Sequence, residues 1–174
     1  MAIEKLSTPV RLPGPTGEDN QLSLLARGAM VLVIREQDPI DVAEQQITCA
    51  LLCGCSIIMV ADRSYWVALE QMRERYQQAG ISALLLQLMP IEGLNGIVQN
   101  NRIEGVIANS LNTDSSKLRQ IMASRTGSII PLIEWPADNS GYHYHWLLWF
   151  LSERTKTENL VARGGNTQLF NLQG

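Results

Sequence analysis

Hydrophobic residues along this chain fall into short uninterrupted runs that alternate with segments of helical period. The run AMVLVI at 29–34 has no polar position, the signature of a strand covered on both faces, as in a parallel sheet. Asp38 and Pro39 then mark a helix start, because the carboxylate accepts first-turn amides and proline already has helical φ and no amide hydrogen to lose. Ile40, Ala43, Ile47 and Leu51 share one face of that helix, Gly54 closes it, and SIIMVA at 56–61 is the next buried strand. The unit repeats. Tyr65, Leu69, Met72 and Tyr76 line a helix that ends at Gly80, before a strand over 81–86. A short helix over 91–100 presents Leu94, Ile97 and Val98 and precedes a strand over 104–108. Asn112 or Thr113 caps a helix with Leu118, Ile121 and Met122 on its face, closed by Gly127, and a last strand covers 128–133. Pro131 cannot donate to a ladder, which puts that strand at or near a sheet edge.

Five strands alternating with four helices predict an α/β fold: a Rossmann-like parallel sheet with helices on both faces. Pro9, Pro13, Gly14, Pro15 and Gly17 leave the first 20 residues unable to sustain a helix or a central strand. A looser strand pattern follows over 21–25, then a turn at Arg27 and Gly28. At the other end, 136–141 is a polar break and 142–154 reads as a helix rich in Trp146, Trp149 and Phe150. Residues 155–174 form a polar tail with little to build a core from. The organisation expected is an extended lead-in over 1–20, a domain with its terminal helix over 21–154, and a tail over 155–174.

Composition fits one ordinary domain with a developed core: 174 residues, 45% hydrophobic, mean hydropathy −0.02. Fourteen Lys and Arg against 17 Asp and Glu, with no basic run, leave a nucleic-acid surface without a footprint. The start, MAIEKLSTPV, lacks the apolar core of a signal peptide. The most apolar stretch, 47–61, falls short of the ~20 residues a transmembrane helix needs. Cys49, Cys53 and Cys55 crowd into apolar sequence, which suits reduced thiols in a cytoplasmic setting rather than a disulfide framework.

Candidate chemistry is sparse. Neither G-x-G-x-x-G nor G-x-x-x-x-G-K-[ST] occurs, so the common dinucleotide and triphosphate loops are unsupported. The three cysteines lack a nearby histidine to complete a zinc site, and buried small hydrophobes account for them better. His143 and His145 lie two apart, and on a helix they point to different faces, which disfavours a shared metal. Glu134 follows a strand, where open α/β sheets present functional side chains, although a lone glutamate there is more often a cap or an ion-pair partner.

Two segments carry more specific information. LPGPTGEDNQLSLLARGAMVLVI, at 12–34, resembles the L-P-G-P-T-G-E-x-N segment, followed by R-G and an apolar strand, that opens the C-terminal domain of long bacterial proline utilization A proteins. ERTKTENLVARGGN, at 153–166, is similar to the E-R-T-x-T-x-N-T-x-A-A-G-G-N motif that closes them, with Glu158, Leu160, Val161 and Arg163 departing from it. Between them, ITCALLCGCSIIMVAD and the stretch from IEGVIANS to GSIIPLIEW resemble the cofactor domain of aldehyde dehydrogenases. Val60 stands where that superfamily has the lysine for the adenosine ribose. Glu134 stands where it has the general-base glutamate, but Trp135, Pro136 and Ala137 replace the small residues and glycines expected after it. The domain that would carry the nucleophilic cysteine is not present between Glu134 and the terminal helix, and without a nucleophile there is no thioester route.

The resemblance implies a chain that is not itself an enzyme and holds no cofactor. Its parent would be an oxidoreductase that converts proline to glutamate with FAD and NAD and passes the intermediate through an internal channel. It further implies a small projecting β-flap built from the N- and C-terminal segments, in which 21–34 pairs with 155–160. Thr155, Thr157, Asn159, Gly164, Gly165 and Asn166 would dock on the parent's aldehyde dehydrogenase domain, complete its active site and seal the channel. An exposed flap edge would also permit a homodimer. The alternative from another class is a regulatory module that binds a nucleotide of the NAD type in the sheet crevice.

Overall fold

The continuous apolar runs become the strands of one parallel sheet, for the reason their composition implies: residues 30–34 are all at most 1% exposed. The computed structural model describes residues 6, 8–36, 38–109, 115–135 and 144–160. These divide into two compact units, Ala26–Phe150 and the pair of end segments Met1–Leu25 and Leu151–Gly174.

The larger unit contains β3 (Ala29–Ile34), β4 (Ser56–Ala61), β5 (Leu86–Pro90), β6 (Ile103–Asn109) and β7 (Leu132–Trp135), all parallel, in the order β5-β4-β3-β6-β7. The chain steps outward from β3 to β5 and then returns past β3 to β6 and β7, so the strand order reverses between β3 and β6. Helix α1 (Ile40–Leu52) lies between β3 and β4, α2 (Trp66–Gln78) between β4 and β5, α3 (Leu94–Val98) between β5 and β6, and α4 (Ser115–Ala123) between β6 and β7. Leu94, Val98 and Leu118 of the last two helices close over Val31, Val33, Val60, Val106 and Ala108. By strand alternation Met30, Leu32, Ile57 and Met59 point to the opposite face, and each is fully buried. The α/β fold with a parallel sheet flanked by helices is as predicted, and β7 is an edge strand as expected, although Pro131 lies just before it and not within it.

Both long helices of the first crossovers end in the same way. Gly54 and Gly80 adopt φ of +82° and +93°. Their amides donate to Leu51 O and Gln77 O, while the amides of Cys55 and Ile81 reach Ala50 O and Tyr76 O. This is a Schellman closure, in which the left-handed residue is glycine because it has no Cβ to clash.

Several boundaries differ from the sequence expectation. Helix α1 begins at Ile40 with Pro39 as its N-cap, and no side chain caps it. The Asp38 carboxylate turns back instead, and its Oδ2 accepts the Arg35 amide at 2.7 Å. β5 begins where the strand predicted over 81–86 was to end, after a turn closed by Leu85 N donating to Ser82 O, with Leu84 77% exposed. The apolar run there largely precedes the strand, and pairing with β4 sets the strand's limits, with Ile57 opposite Leu86 and Ala61 opposite Pro90. β7 likewise starts at Leu132, opposite Val106, leaving Ile129 fully exposed.

The helix predicted over 142–154 is a 3-10 segment, Tyr144–Phe150, and Leu151 already begins a strand. Tertiary partners take the carbonyls that a longer helix would use. Arg27 donates from Nε to Trp149 O at 2.8 Å and from its amide to Phe150 O at 3.0 Å, while the Cys53 thiol donates to Leu147 O. Trp146 also packs edge-on against buried Trp135, with ring centroids 4.7 Å apart.

The smaller unit is an antiparallel sheet in the order β1-β2-β8, made of β1 (Val10–Leu12), β2 (Glu18–Ala26) and β8 (Leu151–Asn159). Val10 stands opposite Leu22 and Leu12 opposite Asn20. The N- and C-terminal segments thus meet in a small sheet, as the resemblance implied. Residues 29–34, which that expectation placed in the flap as well, form the centre of the parallel sheet instead, because every one of their side chains is apolar and needs cover on both faces. Among the described residues no helix is long and apolar enough to cross a membrane.

Candidate docking interface

Three places could carry chemistry, and they differ in what their groups are free to do. The first is the carboxyl end of the parallel strands near the β3/β6 reversal, where open α/β sheets bind ligands. A phosphate there would need backbone amides to point at it. The two amides that follow β3 are already taken: Arg35 N donates to Asp38 Oδ2, and Glu36 N to Asp62 Oδ2 at 2.9 Å. Tyr65 Oη adds a 2.9 Å bond to Asp38 O and ties the loop to the next crossover. Asp38 is buried. Val60, at the lysine position of the superfamily, is fully enclosed within β4, opposite Val33 and Met89. Carboxylates thus occupy the two loop amides that follow β3, and an aliphatic side chain fills the enclosed position in β4.

The second place is the strand end that presents Glu134. Its Oε2 accepts from Arg119 Nη2 at 2.7 Å, with both side chains substantially exposed. It stands opposite Ala108 on the edge strand β7 and serves as an ion-pair partner for α4.

The third is the cysteine cluster. Cys49 and Cys55 are buried and Cys53 is half-buried. Burial pushes the Cys49 thiol up to about 11. Burial, reinforced by the neighbouring Cys55 and Cys49, pushes Cys53 up to about 12. The Sγ atoms of Cys53 and Cys55 donate to Leu147 O and Phe150 O. A nucleophilic thiol needs the opposite environment, one that lowers its pKa and leaves it accessible. His145 is exposed, next to Trp146, and His143 lies outside the described residues. Among the described residues no group of three His, Cys, Asp or Glu is arranged to hold a metal.

The antiparallel sheet of the smaller unit presents a different kind of site. Ser152 Oγ donates to Leu25 O, Thr157 Oγ1 bonds Asn20 Oδ1 at 2.5 Å, and Leu160 N donates to Gly17 O at 2.7 Å. Residue numbers therefore rise along β8 as they fall along β2. Residues 153–157 are all exposed, and β8 is the outer strand of its sheet among the described residues. Of the predicted docking residues, the structure brings Thr155, Thr157 and Asn159 onto this one strand. Gly164, Gly165 and Asn166 lie outside the described residues. The strand character of 151–154 was hidden in the sequence by the aromatic run before it. Its signal was the alternation of charge and threonine in ERTKT.

Comparison with solved structures places the fold. No family model matches the sequence, and no curated protein does. Proline utilization A with proline bound in remote sites matches over 76% of this chain at 26% identity, with a TM-score of 0.66. Proline utilization A of Bradyrhizobium japonicum matches over 75% at 25% identity, with a TM-score of 0.65. In both cases this chain spans only 14% of the other protein's length. An NAD-dependent benzaldehyde dehydrogenase of Corynebacterium glutamicum matches over 75% of this chain and 29% of its own length, with a TM-score of 0.66. At 12% identity that last likeness is one of fold. The chain is similar to a domain of proline utilization A built on the aldehyde dehydrogenase superfamily fold.

Proposed function

We propose, from the fold that this chain shares with part of proline utilization A, that it is a non-catalytic domain of a larger proline-catabolic polypeptide. In that reading it docks on the aldehyde dehydrogenase domain through the β1-β2-β8 sheet, completes that domain's active site and seals the channel for the intermediate. The observation that carries this is the small sheet itself. Both chain ends contribute to it, its outer strand is exposed over 153–157, and its residues are too polar to form a core of their own. Such an edge satisfies its backbone by adding to another sheet. The raised Cys53 thiol and the ion-paired Glu134 support the absence of an aldehyde-oxidising site, since these two candidates, among the described residues, are placed as neither nucleophile nor free base.

The experiment is truncation in the longer polypeptide. Removing 151–174 should lower aldehyde oxidation and lengthen the lag in coupled proline-to-glutamate turnover while leaving proline oxidation nearly unchanged. Unaltered coupled kinetics would overturn the docking role. Calorimetry of this chain with NAD and NADP addresses the regulatory alternative, and micromolar saturable binding would favour it. The Asp38 and Asp62 carboxylates on the loop amides weigh against that result.

A further inference from the structure

The outer edge of β8 carries a charge pattern that selects what can pair with it. Alternate residues of a strand share a face, so Arg154, Lys156 and Glu158 stand together while Glu153, Thr155 and Thr157 point the other way. Arg154 and Lys156 line a shallow depression of about 400 Å³ together with Ser23, Leu25 and Thr155. Most charges on that face are matched locally. Lys156 Nζ lies 2.5 Å from Glu158 Oε1, with the lysine side chain 67% exposed. Arg11 Nε lies 2.8 Å from Asp19 Oδ1, close enough for an ion pair although not aligned as a hydrogen bond. Arg154 has no side-chain partner among the described residues. The pair joins two positions along one strand, with the lysine end in solvent and Glu158 half-buried, and its exposed lysine is readily exchanged to a cross-strand partner.

A second copy of this chain is a poor match for the exposed stretch. Two β8 strands related by a twofold axis pair antiparallel, and directly opposed residues must point to the same face, so each register is centred on one residue facing itself. Centred on Thr155, Arg154 faces Lys156 twice. Centred on Glu153, Arg154 or Lys156, a charged residue faces its own kind. Centred on Thr157, Lys156 faces Glu158 twice, but Arg154 then faces Leu160 and gains no anion. Like charges directly opposite are destabilising. A strand with carboxylates two residues apart meets none of these conflicts and supplies the anion that Arg154 lacks.

We propose that the outer edge of β8 accepts, by antiparallel addition, a strand bearing carboxylates at two alternate positions opposite Arg154 and Lys156. Its source is the aldehyde dehydrogenase part of a larger polypeptide, not a second copy of this chain. This rests on the docking role proposed above and adds the chemistry of the partner strand to it.

The test titrates the isotope-labelled full chain with a blocked peptide of alternating threonine and glutamate, and with its lysine-for-glutamate counterpart, following amide exchange by NMR. The acidic peptide should protect outward amides within 153–157 and bind about tenfold more tightly than the basic one at low ionic strength. The preference should shrink towards parity in molar salt. A double variant, Arg154→Glu with Lys156→Glu, should reverse it, and both side chains are exposed, so the variant keeps the fold. Equal binding of the two peptides, or protection elsewhere, would sink the charge selection. Dimerisation in light scattering with 153–157 protected in the absence of peptide would overturn the choice of partner in favour of a second copy. If the peptides fail to discriminate but truncation of 151–174 still uncouples the longer polypeptide, docking stands and this inference alone falls. If the acidic peptide binds but truncation has no effect, the source assigned to the strand is wrong.

Discussion

The reactivity of Cys53 offers the most direct check on whether this chain can support thiol chemistry. It is the least buried of the three cysteines, so slow labelling cannot be attributed to complete enclosure. Its thiol is pushed up from the ordinary 9.0 to about 12, chiefly by burial and secondly by Cys55 and Cys49. At pH 8 roughly one free thiol in ten is ionised, against about one in ten thousand for a group at 12, so the native protein should hold about a thousandfold less thiolate. Because Cys49 and Cys55 contribute to the shift they are kept, and labelling of Cys53 by a small thiol-reactive reagent is read by peptide mass mapping in the native state and in urea. Native labelling should be about a thousandfold slower and should keep rising tenfold per pH unit beyond pH 10, whereas the unfolded rate levels off near 9. Restricted access scales the rate at every pH, while a raised pKa moves the inflection, so the profile separates the two. A native inflection near 9 with a rate within tenfold of the unfolded one would refute the reasoning and readmit a reactive thiol. The same shift has a stability consequence. The folded pKa lies above the unfolded one, so the unfolded chain loses its proton first. Stability is therefore held below pH 9 and declines as pH rises towards 11 and 12 for Cys49 and Cys53.

Substitutions at three further positions probe the packing and the backbone. Trp135→Ala empties a site that is 1% exposed and removes edge contacts to Trp146 and Trp149, and should cost about 3–5 kcal/mol in urea denaturation followed by far-UV circular dichroism. Trp135→Phe keeps a ring and should cost far less; a loss below about 1 kcal/mol for the alanine variant would mean that the aromatic segment is not held by this contact. Gly54→Ala and Gly80→Ala each force a side chain into the left-handed region, for about 1 kcal/mol apiece. An added Cβ at Gly80 meets nothing within 4 Å and at Gly54 only Ala26 Cβ at 3.5 Å, so equal costs are expected. A much larger loss at Gly54 would point to crowding instead of backbone strain.

The local code of the sequence determined a good deal by itself. The apolar runs 29–34, 57–61 and 105–108 had to be covered on both faces, which makes β3, β4 and β6 strands of a parallel sheet, and the glycines after α1 and α2 had to close those helices. Strand limits were decided only by the tertiary structure, because hydrophobicity marks what must be buried and not which residues pair: β5 takes its bounds from β4, five residues beyond the start of the apolar run. The fate of 142–154 was equally invisible. Aromatic spacing suits a helix, but Arg27 and the cysteine thiols, distant in sequence, take the carbonyls of 147, 149 and 150 and release Leu151 into a strand. The exposed edge of β8, on which the functional reading turns, exists because two polar chain ends could be satisfied by pairing with each other. Which of them would be left outermost was a matter of register and not of composition.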